Sequence, residues 1–219
     1  SIIVDASLPP SGRASHNAHA STLAFELTSG RRPLIVNCGS GACFGAEWRR
    51  AGRATPSHST LCIDGTSSAH LTAPARDGAE LITGGPTHVP IEISHATDGL
   101  RFQGGHDGWL RTHGLTHART LELTSDGRGL AGEDMLFAVE EADKVIFQKA
   151  LARGVDAGLL FQIRFHLHPE VDAAIDMGGA AISLALRSGE IWVLRCEPNA
   201  ELSLEPSVYL ETGRLKPRA

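Results

Sequence analysis

Three groups of side chains in this chain have types and spacings suited to chemistry. The first is Trp48, Arg49, Arg50 and Arg53, an aromatic ring beside three guanidinium groups. An indole face stacks on a sugar ring, and guanidinium forks pair with carboxylate or sulfate through two parallel N–H bonds. The segment is therefore a candidate contact for an acidic polysaccharide. Its alternative is an exposed loop anchored by a buried tryptophan, with solvated arginines. The second group is His19, Asn37 and His58, each at the entrance or exit of a short apolar segment: residues 15–27 (SHNAHASTLAFEL), 34–39 (LIVNCG) and 57–65 (SHSTLCIDG). Read as strands, these segments bring the three residues within reach of one another. The third is His16, because imidazole is the side chain suited to general acid–base work near neutral pH.

Other polar residues read as structural. His166 and His168 share a strand face with Arg164 but have no third ligand nearby in sequence, so a hydrogen-bonded pair is favoured over a chelate. His106, Asp107 and His117 read as turn and strand residues, Glu140 and Glu141 as a solvated face, and Tyr209 as a packed aromatic.

The elements that must position these groups are strands. Phe161, Ile163, Phe165 and Leu167 alternate with polar residues, the period of a two-faced strand. Residues 182–186 run through Ser188-Gly189 into 191–194, and residues 119–124 run into Ser125-Asp126-Gly127, both hairpin signals. Further strands are expected at 79–83, 88–94, 171–177 and 201–210. Residues 135–153 carry helix formers with partial 3.6-residue spacing, which predicts a short helix around 137–152 or a crossing loop. No repeat or linker interrupts the pattern. The expectation is one all-β domain over residues 1–219, an antiparallel two-sheet β-sandwich.

Composition narrows the function. With 20 Lys and Arg against 25 Asp and Glu, scattered rather than striped, a nucleic-acid partner is excluded. An acidic polysaccharide is not, because a local arginine cluster suffices for one. No apolar run reaches membrane-spanning length. The four cysteines show no metal-binding spacing. Cys62 and Cys196 read as small buried hydrophobes, and Cys38 and Cys43 are close enough in sequence to bridge in an oxidising compartment.

Several stretches resemble the heparinase II/III-like polysaccharide lyases. Residues 48–60 (WRRAGRATPSHST) are similar to that family's WR…R-x-T-x-x-H-[NS]-T stretch. Residues 106–109 (HDGW) with 114–119 (GLTHAR) are similar to HDGY…GL-x-H-x-R, and residues 164–169 read RFHLHP. The order of a His before an xLxFEL strand, an acid or amide before Gly, and a His before a D-G hairpin fits as well. The resemblance implies a β-sandwich preceded by an α/α toroid in the same bacterial protein, periplasmic or cytoplasmic, with the substrate cleft between them. It implies β-elimination on a uronate-containing polymer of glycosaminoglycan or alginate type. A base removes the C5 proton, the carboxylate is neutralised and the 4-linked sugar leaves. The base and the neutralising group belong to the toroid, so this chain would form one cleft wall and be catalytically incomplete alone.

The resemblance also implies a divalent metal, usually zinc, held by His19, residue 37 and His58 in a structural role. Here residue 37 is Asn37 where the family has Asp, and Asn17 stands where the family often has a further histidine. His16, one residue earlier, is left as the catalytic candidate, although adjacent strand residues face opposite ways unless the backbone bulges. Asn17 and Asn37 favour the alternative, a non-catalytic glycan-binding or cell-envelope module on the same fold.

Overall fold

A computed structural model describes residues 1–154 and 158–214. It is built of short antiparallel sheets. β1 (Ile2–Val4), β2 (Phe25–Ser29) and β3 (Arg32–Val36) lie side by side, and β12 (His166–Leu167) pairs with β3 at the far edge. β4 (Leu61–Ile63) pairs with β11 (Phe161–Ile163), and β5 (His70–Leu71) with β6 (Ile82–Thr83). The longest strands form a meander of β7 (Ile91–Ala96), β8 (Gly99–Trp109), β9 (Leu115–Thr124) and β10 (Leu130–Phe137). β13 (Val171–Asp176), β14 (Ala181–Leu186) and β15 (Ile191–Leu194) make a final three-stranded sheet.

The main core joins these sheets as a sandwich. Phe25, Leu27, Leu34 and Ile35 of the first sheet meet Leu121 of β9 and Ile182, Leu184 and Leu186 of β14. Alternation explains the choice: the inward positions of β14 are apolar at every second residue, as a half-buried strand requires. A second cluster of Leu61, Cys62, Ile63, Trp109 and Leu115 lies under the helical cap, where Phe147 packs against it. The cap consists of α2 (Leu110–His113) and α3 (Glu141–Arg153); α1 (Ala46–Gly52) stands apart. Helix α3 begins with a capping box in which the Glu140 N–H donates to Asp143 Oδ2 at 3.0 Å. Gly114 ends α2 at φ +67°, and a Cβ there would strike the Asp143 carbonyl, so only glycine lets the two helices approach. Among the described residues no helix is long and apolar enough to cross a membrane.

The all-β antiparallel expectation holds, and the helix falls in the expected stretch, with Met135–Phe137 remaining strand. Residues 161–167 are not one strand. The chain changes partner midway: Phe161–Ile163 pairs with β4, the Arg164 N–H donates to Thr60 O at 3.0 Å, and His166 pairs with Val36. Residues 79–83 contribute only β6, and the strand expected at 88–94 runs from Ile91 to Ala96. Residues 201–210 form no strand ladder. Apart from a single bridge at Tyr209 they carry no regular structure, and the Leu210 N–H donates to Cys38 O at 2.6 Å. Cys62 is buried as expected, whereas Cys196 is exposed; Cys38 and Cys43 are free thiols.

Candidate functional site

His19 and His58 meet because the segment between α1 and β4 clamps the loop that carries His19. Arg53 is 1 % exposed and its guanidinium reaches three carbonyls: Ala18 O at 2.7 Å, Ser15 O at 2.7 Å and Glu80 O at 3.0 Å. Two residues on, Thr55 Oγ1 donates to Ala20 O at 2.7 Å. These bonds set His19 Nδ1 3.2 Å from His58 Nε2, with the rings edge to face and the Gly52 carbonyl against both. Burial, then the Arg53 charge, holds His19 below the ordinary imidazole range, while Asp5 pulls the other way. Burial, followed by the charges of His19 and His166, pushes His58 down to about 3. Both rings are therefore neutral at pH 7.

Asn37 lies beside this pair but is turned to other work. Its Oδ1 accepts the Ser59 N–H at 2.9 Å. Its Nδ2 and its backbone N–H donate to Glu26 Oε1 at 3.0 and 3.2 Å. The amide thus splices β2 to the residue after His58. Among the described residues no three His, Cys, Asp or Glu side chains gather as a cation cage.

An open cleft of about 400 Å³ lies next to His19, and its walls include Asp5, Asn17, His19, Ser21 and Thr22. Asp5 accepts bonds from Ser21 Oγ at 2.5 Å and Ser7 Oγ at 3.2 Å. His16 is exposed on the 3-10 turn Gly12–Asn17 beside this cleft. The Arg49 Nη2 group reaches the His16 carbonyl at 2.5 Å, Asn17 Oδ1 at 3.1 Å and the His16 ring at 3.3 Å. Of the other expected saccharide contacts, Trp48 is partly exposed on α1, Arg50 pairs with the buried Glu80, and Arg53 is enclosed. Arg53 serves the architecture because its donors are spent on backbone carbonyls. Asp5 and Ser21 escaped the sequence reading: they bear no motif and meet only through the fold.

The family comparison matches the heparinase II/III-like C-terminal domain over residues 1–219. The chain belongs to that family. FtsZ-localized protein C of Caulobacter vibrioides (strain NA1000 / CB15N) is 32% identical over 215 residues, which cover 97% of this chain and 35% of the relative. The chain thus spans about a third of that relative's length. No solved structure matches it.

Next to the site, this heparinase II/III-like domain has a buried relay built from the strand residues His106, His117, Arg119 and Asp134. His106 pairs with His117 across β8 and β9, and Arg119 with Asp134 across β9 and β10. The Gly108 N–H donates to His106 Nδ1 at 3.0 Å, so the His106 proton sits on Nε2. That proton is given to His117 Nδ1 at 3.2 Å, and His117 Nε2–H in turn donates to Asp134 Oδ1 at 2.6 Å. Arg119 grips both Asp134 oxygens at 2.8 and 2.9 Å, and its Nη1 reaches Leu23 O at 2.8 Å and Ser59 O at 3.1 Å. The relay therefore braces the residue next to His58. Its sequence signal was the presence of His117 and Arg119 on the same strand face as Leu115 and Leu121, polar groups on an inward face.

His166 and His168 are each bonded within the chain, the latter through Nδ1, which accepts the Glu170 N–H at 3.3 Å. His166 Nε2–H donates to Pro56 O at 2.9 Å, leaving Nδ1 to accept from Ser207 at 2.9 Å and from the Cys38 thiol at 3.3 Å. Burial raises the Cys38 thiol above its usual range. The His168 ring meets Tyr209 edge to face at 5.2 Å.

Proposed function

We propose that this domain is the saccharide-holding wall of a heparinase II/III-like protein and grips its polymer without cleaving it. The observation that carries this reading is how the polar groups are divided. Asn37 and Arg53 spend their polar groups on the interior and Arg50 pairs with Glu80, whereas His19, Asn17, Asp5 and Ser21, although each also bonds within the chain, line an open cleft. Hydroxyl, amide and imidazole groups around a shallow cleft suit the hydroxyls of a sugar ring. β-Elimination at a uronate further needs a base at C5 and a partner that neutralises the carboxylate; those roles fall to an α/α domain of the same protein. In that arrangement the full-length protein is a lyase acting on a glycosaminoglycan- or alginate-like polymer. The second reading is a non-catalytic cell-envelope module, favoured by Asn17 and Asn37 and by the localisation with FtsZ in the relative's name. The two readings part on turnover by the full-length protein.

Calorimetric titration of the purified chain with alginate, hyaluronan and heparin oligosaccharides tests the shared part. Saturable binding is expected for at least one, weakened about tenfold by His19→Ala, the equivalent of one polar contact. No binding to any of them would remove the proposal.

A further inference from the structure

We infer that the His19–His58–Asn37 constellation works without a metal, and that the missing charge of one side chain separates it from a zinc site. The inference does not depend on the saccharide reading. The spacing of the two imidazole nitrogens is not decisive, because donors about 2.1 Å from a tetrahedral zinc also stand roughly 3.4 Å apart. The third position decides. Asn37 Oδ1 holds the N–H of Ser59, a fully buried residue, so turning that oxygen to a cation would strand a buried donor. Glu26 fixes the amide in this orientation by taking both Nδ2–H and the Asn37 backbone N–H.

An aspartate at 37 would set its second carboxylate oxygen against Glu26, so the amide and Glu26 form a matched pair. The Gly52 backbone, which also faces both imidazoles, offers only a neutral oxygen. Two neutral imidazoles with neutral oxygens bring no charge to offset a dication, whereas zinc sites of this type include a carboxylate. Asp5, the acid in the neighbouring cleft, forms no cation cage with the two histidines. One hydrogen-bonded imidazole pair then does what a metal would do, pinning the His19 loop to the entrance of β4.

The test is zinc titration of the purified chain against a chromophoric chelator, with melting followed in zinc and in EDTA. The wild type is expected to take up no stoichiometric zinc and to melt identically in both. Glu26→Gln with Asn37→Asp supplies the charge and removes the opposing carboxylate. This double variant is expected to bind one equivalent at least about tenfold more tightly than the wild type. One equivalent of zinc on the wild type, lost in His19→Ala, would overturn the inference. So would a folded double variant that binds no better than wild type. Should the double variant not fold, the wild-type titration decides alone.

Discussion

Asp134→Ala is expected to lower the unfolding free energy by about 3–5 kcal/mol, the usual cost of removing one partner from a buried ion pair. Asp134 is the anion of the relay, and three donors converge on it from His117 and Arg119. Burial alone would raise its carboxyl, yet the bonds and charges of His117 and Arg119 outweigh burial and hold it below the usual carboxylate range. Without it, a guanidinium 1 % exposed to water keeps its charge but loses its counterion. Arg119 also loses the geometry with which it reaches Leu23 O and Ser59 O. The loss therefore spreads from the β8–β10 meander to the His58 segment. Urea denaturation with an unchanged slope is the measurement. Because the cost comes from stranding a charge, Arg119→Met made together with Asp134→Leu should recover much of it.

The second large effect is acid sensitivity. Burial, then the charge of His117, depresses His106 to about 3; Asp107 opposes this and Arg119 adds to it. The unfolded chain binds a proton at an ordinary histidine near 6.5, so between these values it holds more protons than the folded chain does. Stability therefore rises with pH in this window and is lost as pH falls below about 6.5. From 6.5 to 5 is 1.5 units, or about 2 kcal/mol from His106 alone. His117 is also held down by burial, against the pull of Asp134, and adds to the slope in the same direction. Asp134 contributes only at lower pH, since a depressed carboxylate loses its stabilising charge below about 4. Unfolding free energies at pH 7 and pH 5 should differ by at least about 2 kcal/mol. His106→Gln should flatten the dependence; equal stability at the two pH values would show that the buried imidazoles are not held neutral.

The convergence of His19 with His58 was legible because each stands at the entrance of an apolar strand. The β-class was legible from alternation and turn residues. The relay was not: Asp134 sits in β10 with no local mark, and its partner Arg119 is set by cross-strand register, a long-range property. Alternation through residues 161–167 was real, but it reports which way side chains face and not which strand lies alongside. The chain switches neighbours at Arg164 without breaking the period. Within the arginine run, the place of Arg53 was hidden for a related reason. Residue type allowed a sugar contact, while burial of Arg53 under three carbonyls is decided by the loop above it. Asn37 could be seen as a departure from the family pattern, but its bond to Glu26 emerges only from the pairing of β2 with β3.

The role proposed for this domain is to hold a polymer while its cleavage is left to the rest of the protein. The most direct measurement follows the ultraviolet absorbance of unsaturated uronate during incubation of the purified chain with polymers it binds. Binding with no growth in absorbance is the predicted result. Absorbance that grows with the chain alone, and stops with His19→Ala, would contradict the account by showing that the catalytic set is complete within these residues.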